Sequence, residues 1–351
     1  MVRFATIGTS GVTERFLEAL GQVEGAEYVA AYSRSLDKAR SFGGPRGATL
    51  FFDDLGALAA SDEVDAVYVA SPNSLHAPQA TQMARAGKHV LVEKAFASNE
   101  REARQVFEAA REAGVVAMEA MRNVHGPAWK EVVAALAEVG TPRLASVHFS
   151  KVTSRMARLR AGERVNVFDP HLSEGALMDI GVYAVEPVVA LFGAPERVSG
   201  MAVTTRVPGA PEDDACATVD LAGKANLAYP GMVVDVAWGK VADDLLPCEV
   251  AGEEGTLVWE DVSCPRTLTV TKHADAGLTF KARTSGATTT RDLDVADNDM
   301  VYELADFVAA ARGDAAALEA AASWEALTLG SLAVMDQIRQ QVGVRFPADG
   351  E

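Results

Sequence analysis

The feature that most constrains the fold is an alternation that fills the first third of the chain. Short, mainly apolar runs at residues 2–8, 28–32, 66–70 and 90–92 alternate with segments of helical period, and a further run lies at 115–118. Phe16, Leu17 and Leu20 share one face of a helix over 13–20. A second helix spans about 75–86 and is closed by Gly87, and a third spans 99–113. In that third helix Asn99 stands as N-cap, Glu102 completes a capping-box-like pair and Gly114 is the stop. Strands that are apolar on both faces and joined by helices belong to a parallel sheet covered on each side. The expectation is a doubly wound α/β unit, a Rossmann-type dinucleotide-binding domain, over residues 1–122.

Beyond residue 122 the pattern changes. One more helix is expected over 129–139. Long alternating runs follow at 145–152, 197–207, 215–221 and 232–238, with turns placed at Ala222-Gly223-Lys224 and Gly252-Glu253-Glu254-Gly255. Period-two alternation broken by short turns predicts a large, mainly antiparallel sheet. A helix near 175–192, apolar on most sides and ended by Gly193 and Pro195, interrupts it. Helices over 298–311 and 323–341 close the chain. A chain of 351 residues exceeds one ordinary core, so residues 123–351 are read as a second α/β domain with an open sheet.

Charge and cysteine usage exclude several classes. A net charge of −17 argues against a nucleic-acid partner, which needs a basic face. No stretch reaches the roughly twenty apolar residues of a membrane span. Cys216, Cys248 and Cys264 are few, odd in number and widely spaced, so neither a disulfide framework nor a metal site is expected. The first residues run straight into a strand pattern and leave no room for a signal peptide. These features together predict a cytoplasmic enzyme.

The turn Gly8-Thr9-Ser10-Gly11-Val12-Thr13 follows the first strand and opens the first helix, where backbone amides cradle a pyrophosphate. Its glycine spacing departs from the full fingerprint, and it is the strand–turn–helix context that carries the assignment. After the second strand comes Ser33-Arg34-Ser35, with no acid before Asp37 to bind the adenosine ribose hydroxyls. Arg34, assisted by Lys38 and the two serines, suits a 2′-phosphate, so NADP is the expected cofactor, with NAD possible. Ser71-Pro72-Asn73-Ser74-Leu75-His76 lies at the carboxyl end of a strand, where ligands sit in such sheets, and places Pro72 and Asn73 near the nicotinamide. Asn73 or Ser74 also suits a helix N-cap, and His76 a first-turn position.

Glu93-Lys94 ends another strand at that same edge. Burial there would lower the pKa of Lys94, and its charge would hold a substrate hydroxyl. In the buried helix near 175–192, Asp179 and Tyr183 are one helical turn apart and Glu186 continues the stripe. A polar stripe on a helix that is otherwise apolar faces a cleft or is paired within the core. Lysine, aspartate and tyrosine are the groups that move a proton on and off an alcohol.

These residues resemble the Gfo/Idh/MocA oxidoreductase family over nearly the whole chain. The carriers are the Gly8 turn, the segment from Ser71 to His76, Gly87-Lys88-His89-Val90 leading into Glu93-Lys94, and the segment from Gly175 to Tyr183. Tyr183, and the segment Tyr32-Ser33-Arg34-Ser35, look like the branch of glucose–fructose oxidoreductase and dimeric dihydrodiol dehydrogenase. The resemblance implies a Rossmann domain followed by an open-sheet domain that builds a homodimer or homotetramer. It implies Lys94 and Tyr183 as catalytic pair, with Asp179 orienting substrate or lysine. The cofactor set is then Gly8, Thr9, Ser10, Gly11, Val12, Ser33, Arg34, Ser35, Lys38, Ser71, Pro72, Asn73, His76, Glu93 and Lys94. The substrate would be a sugar, cyclitol or dihydrodiol. Two alternatives stand beside this reading: an NAD-dependent glycoside hydrolase working by transient oxidation, and a non-catalytic NADP-binding regulator. Ala95 stands where the family usually has proline, and Glu174 where it often has glycine. Arg155, Arg158, Arg160 and Arg164 crowd a loop suited to specificity or to a solvated surface.

Overall fold

The first sheet holds β1 (Val2–Ile7), β2 (Ala26–Tyr32), β3 (Leu50–Phe52), β4 (Ala66–Val69), β5 (His89–Glu93) and β6 (Ala117–Ala120). They pair in the order β3-β2-β1-β4-β5-β6, and every pairing is parallel. The computed structural model describes residues 1–274 and 285–350. The crossovers are α1 (Gly11–Leu20), α2 (Leu36–Gly43), α3 (Leu55–Ala59), α4 (Asn73–Arg85) and α5 (Glu100–Ala113). All four residues of β4 are buried, as a strand covered on both faces requires. The Asn99 side chain accepts from the Glu102 amide at 2.9 Å and Gly114 closes α5 at φ 69°, the expected cap and stop. Chain order reverses between β1 and β4, and their carboxyl ends define the crevice where ligands bind in such sheets.

The second sheet holds β7 (Pro142–Ser150), β8 (Arg197–Arg206), β9 (Thr218–Tyr229), β10 (Met232–Gly239), β11 (Cys248–Gly252), β12 (Gly255–Trp259), β13 (Thr267–His273) and β14 (Ser285–Asp292). Its order is β14-β13-β12-β11-β7-β10-β9-β8, with β7–β10 the parallel pair and the other pairings antiparallel. Helix α6 (Pro127–Leu136) precedes it and the short α7 (Met156–Arg160) follows β7. A π-helical turn, Leu177–Gly181, runs into α8 (Val182–Phe192). Helices α9 (Met300–Ala311) and α10 (Ala315–Val342) end the chain. Phe307 of α9 packs on Phe4 of β1 at 5.8 Å, so the last helices return to cover the first sheet.

Two expectations need correction. Ala222-Gly223-Lys224 is not a turn, because β9 runs straight through it. Gly223 is small there because a Cβ would strike the buried Trp238 indole, and the turn falls instead at Pro230-Gly231. The last helix begins well before residue 323, where Asp314 caps the Ala317 amide at 2.9 Å. Among the described residues no helix is long and apolar enough to cross a membrane.

Candidate active site

Gly8 adopts φ 120°, and a Cβ there would strike the carbonyl oxygen of Ala70 at the end of β4. Glycine alone lets the β1–α1 turn close this tightly on the crevice. Thr9 is half-buried, Ser10 is the exposed N-cap of α1, and a Cβ on Gly11 would meet nothing within 4 Å. Val12 is exposed, while the Thr13 hydroxyl in the same first turn is buried without a partner. A tight turn, open space before a helix N-terminus and an unpaired hydroxyl fit a pyrophosphate. Beyond β2, Ser33 is half-buried and Arg34, Ser35 and Lys38 are exposed. Among the described residues Arg34 makes no ion pair. It is a cation available to a 2′-phosphate.

At the end of β4 the side chains are more engaged than the sequence suggested. Ser71 bonds Gln79 at 2.7 Å, and Pro72 is half-buried. Asn73 is the first residue of α4, and its amide donates to the Ser173 carbonyl at 3.1 Å rather than capping the helix. His76 is buried with its ring nitrogens 2.9 Å from the Ala95 carbonyl and 2.8 Å from that of Ser71. Burial pushes its pKa down to about 4, so the neutral ring donates to one carbonyl and packs against the other. Asn73 and His76 thereby tie the end of β4 to the segments that carry Glu174 and Lys94.

Lys94 leaves the end of β5 beside the π-helical turn. Its Nζ donates to Asp179 Oδ1 at 2.7 Å and to the Asp179 carbonyl at 2.8 Å, and lies 5.5 Å from the centre of the Tyr183 ring. The turn is held from β9, because Asp220 accepts from the Leu177 amide and from the Trp238 indole, each at 2.7 Å. Phe149 of β7 meets Tyr183 edge-on at 5.6 Å. The structure thus brings Lys94, Asp179 and Tyr183 together. The Lys94–Ala95 peptide is cis. Glu93 points beneath this group, buried, accepting from the Tyr68 hydroxyl and the Lys94 amide.

Electrostatics correct one expectation. Burial opposes the charge on Lys94, but Asp179 offsets it, and the ammonium is held well above its ordinary range rather than below. Burial likewise opposes ionisation of Asp179. Lys94 and Lys240 outweigh it and hold the carboxyl far below its ordinary value. For Tyr183 burial prevails: its pKa is raised despite Lys94 and Arg122, so the phenol is protonated at neutral pH. Glu174 is half-buried in this neighbourhood. Burial and then Asp179 push its carboxyl up to about 8, against the pull of Lys94, Lys240 and Arg155.

Two charged groups here escaped the sequence reading. Lys240, just past β10, pairs with the second oxygen of Asp179. Arg122, just past β6, lies 5.3 Å from the Tyr183 ring and pairs with Asp299. The signal was present in each case: both follow apolar strands, as Lys94 does. Glu186 is corrected in the other direction. It is buried rather than facing the cleft, and among the described residues one of its carboxyl oxygens is unbonded, with Glu119 and Glu303 nearby. In the arginine-rich loop, Arg158 pairs with Glu163 and Arg164 with Asp169, while the charge of Arg155 acts on Glu174. A cavity of about 560 Å³ lined by His148, Phe149, Asp244 and Asp261 adjoins the site through Phe149.

Residues 2–121 match the oxidoreductase family with NAD-binding Rossmann fold, GFO_IDH_MocA, and residues 129–258 match the GFO/IDH/MocA C-terminal domain. The chain is 36% identical over 353 residues to scyllo-inositol 2-dehydrogenase (NADP(+)) IolU of Bacillus subtilis, covering 99% of each protein. It is 29% identical to the trans-1,2-dihydrobenzene-1,2-diol dehydrogenase of Danio rerio over 77% of this chain and 78% of that one. Among solved structures, KijD10, a 3-ketoreductase from Actinomadura kijaniata in complex with NADP and TDP-benzene, superposes with a TM-score of 0.78. That match has 24% identity and covers 97% of this chain and 98% of that one, so it bears on the fold.

Proposed function

The chain belongs to the Gfo/Idh/MocA oxidoreductase family, and from that premise we propose that it moves a hydride between NADP and a secondary hydroxyl or carbonyl of a sugar, cyclitol or dihydrodiol. The observation that carries this is the placement of Lys94 against both Asp179 and the Tyr183 ring at the carboxyl edge of the parallel sheet. When bound, NADP supplies the hydride donor or acceptor. The turn at Gly8-Thr9-Ser10-Gly11-Val12 would hold its pyrophosphate, Arg34 with Ser33, Ser35 and Lys38 its 2′-phosphate, and the residues after β4 and β5 its nicotinamide end.

The remaining work falls to this chain's own side chains. Lys94, fully charged, holds the reacting oxygen and favours its anionic form. Tyr183 exchanges a proton with that oxygen. In reduction the phenol is already protonated and donates, and in oxidation it must first lose its proton to receive one. Asp179 keeps Lys94 and Lys240 in place. Support for a cyclitol or sugar substrate comes from the likeness to IolU and from Glu174, a carboxyl in the cleft suited to substrate hydroxyls. We assign the cofactor to residues 1–122 and substrate binding to 123–351, and place the enzyme in the cytoplasm.

The test is a panel of cyclitols, aldoses and dihydrodiols with each nicotinamide cofactor. Turnover with NADP is expected, and Arg34→Asp should weaken NADP binding about ten- to a hundredfold, the worth of one charge-assisted contact. Equal titration of the unaltered protein by NADP and NAD, or no turnover across the panel, contradicts the reading. A homodimer or homotetramer through the second sheet is part of the proposal. Leu144, Met201, Val203 and Val233 stand exposed on its strands, a face that calls for cover. A monomer mass in sedimentation at micromolar concentration would overturn it.

A further inference from the structure

We propose that Arg122 is a positioning residue for the reaction, holding Tyr183 together with Lys94 and stabilising its phenolate form by charge. This rests on Tyr183 as the proton carrier. Arg122 and Asn123 follow β6, the strand beside β5. The Arg122 guanidinium lies 5.3 Å from the centre of the Tyr183 ring, almost the distance of the Lys94 ammonium at 5.5 Å. Asn123 takes hold of the backbone, its amide 3.5 Å from the Tyr183 carbonyl and 3.2 Å from that of Val262. One dipeptide therefore fixes both the ring and the main chain of the tyrosine.

The charges make the case stronger than packing does. Arg122 pairs with Asp299, whose side chain is 5% exposed, and Asp299 also pairs with Arg15 of α1 at 2.6 Å. Lys94 shares Asp179 with Lys240 in the same manner. Each cluster holds two cations and one carboxylate, so each leaves one positive charge in excess, and the Tyr183 ring lies beside both. Asp299 is already neutralised by Arg15, so Arg122 is not needed to pair it. A half-buried guanidinium with surplus charge costs desolvation energy, and an apolar side chain would pack there without it. The other groups facing Tyr183 are Glu93 of β5, which opposes the effect, and Tyr68 of β4, whose hydroxyl binds Glu93. Asp179 is engaged by the two lysines.

The experiment places difluorotyrosine at position 183, which lowers the phenol into an accessible range, and follows its titration by fluorine NMR in the otherwise intact protein. Arg122→Met should raise the titration midpoint by about one pH unit or more, the effect of removing one nearby opposite charge. Arg122→Lys should restore most of the shift. In enzyme with native Tyr183, the pH profile of kcat in the oxidative direction should move by the same amount. An unchanged midpoint in folded Arg122→Met overturns the proposal, as does a fall in kcat with no shift of its pH profile. If Arg122→Met does not fold, Arg122→Gln takes its place with the same expectation. If the midpoint shifts while no substrate is turned over, the proposed function falls and the grip on Tyr183 stands.

Discussion

Asp179 and Glu186 lie on one continuous helical segment, and the molecule treats their carboxyls in opposite ways. Asp179 sits in the π-helical turn, where Lys94 and Lys240 reach it from the ends of strands in two different sheets. Glu186 lies deeper in α8, where the charged groups that act on it are Glu119 and Glu303. Both are desolvated. Cations hold the first carboxyl ionised, whereas burial and like charge push the second well above its ordinary range. The contrast shows that a polar stripe on a buried helix becomes a reactive site only where other elements deliver opposite charge. It also separates two kinds of carboxyl: one that holds two cations in place, and one whose ionisation is opposed by burial and like charge.

The contrast breaks if Asp179→Asn is harmless. That change leaves two ammonium groups without their shared partner and should cost about 3 kcal/mol of unfolding free energy, at the low end for a broken buried pair because the site is partly open. The folded pKa of Asp179 lies below its unfolded value. Its stabilisation is therefore present above the unfolded pKa and is lost as pH falls through the folded one. Urea unfolding at several pH values should show the gap between variant and parent closing in acid. Equal stability at neutral pH would contradict the charge clamp.

A smaller effect of opposite sign is expected for Glu186→Gln. Its folded pKa is raised, so the parent protein is most favoured below the unfolded pKa and loses stability as pH rises through the folded one. The variant should be more stable by about 1–2 kcal/mol in mildly alkaline buffer, by removing a buried charge that has no partner. Glu119, pushed up to about 7 chiefly by burial, sharpens the comparison: Glu119→Gln should flatten the decline between its ordinary value of 4.5 and about 7. A variant less stable than its parent in alkali would mean that an unseen partner satisfies the carboxyl.

Strand ends were the most legible part of this site. Mainly apolar runs placed β1, β2, β4 and β5, and the residues after them, Gly8, Arg34, Asn73 and Lys94, fall at the carboxyl edge as the parallel sheet requires. The same logic applied to β6 and β10 would have found Arg122 and Lys240, but an arginine or lysine after a strand is common on surfaces and only the fold makes these converge. Nothing in the residues from Leu177 to Gly181 announces a π-helical turn. Periodicity alone therefore carried the stripe on to Glu186 as though the cleft extended that far. Gly223 misled for a packing reason, since glycine under an indole reads the same as glycine in a turn. The direction of the Tyr183 pKa depends on a sum of burial against two cations, and one of those cations was unknown from sequence.

The central claim is that Tyr183 exchanges the proton while Lys94 holds the reacting oxygen and the rest of the site keeps both in place. Single-turnover hydride transfer, measured across a range of pH with a substrate from the panel, tests it most directly in Lys94→Ala and Tyr183→Phe. Positioned proton transfer is worth about a hundred- to ten-thousandfold in rate, so each variant should lose transfer on that scale while binding NADP nearly as tightly as the parent. Near-normal transfer in both variants would contradict the account.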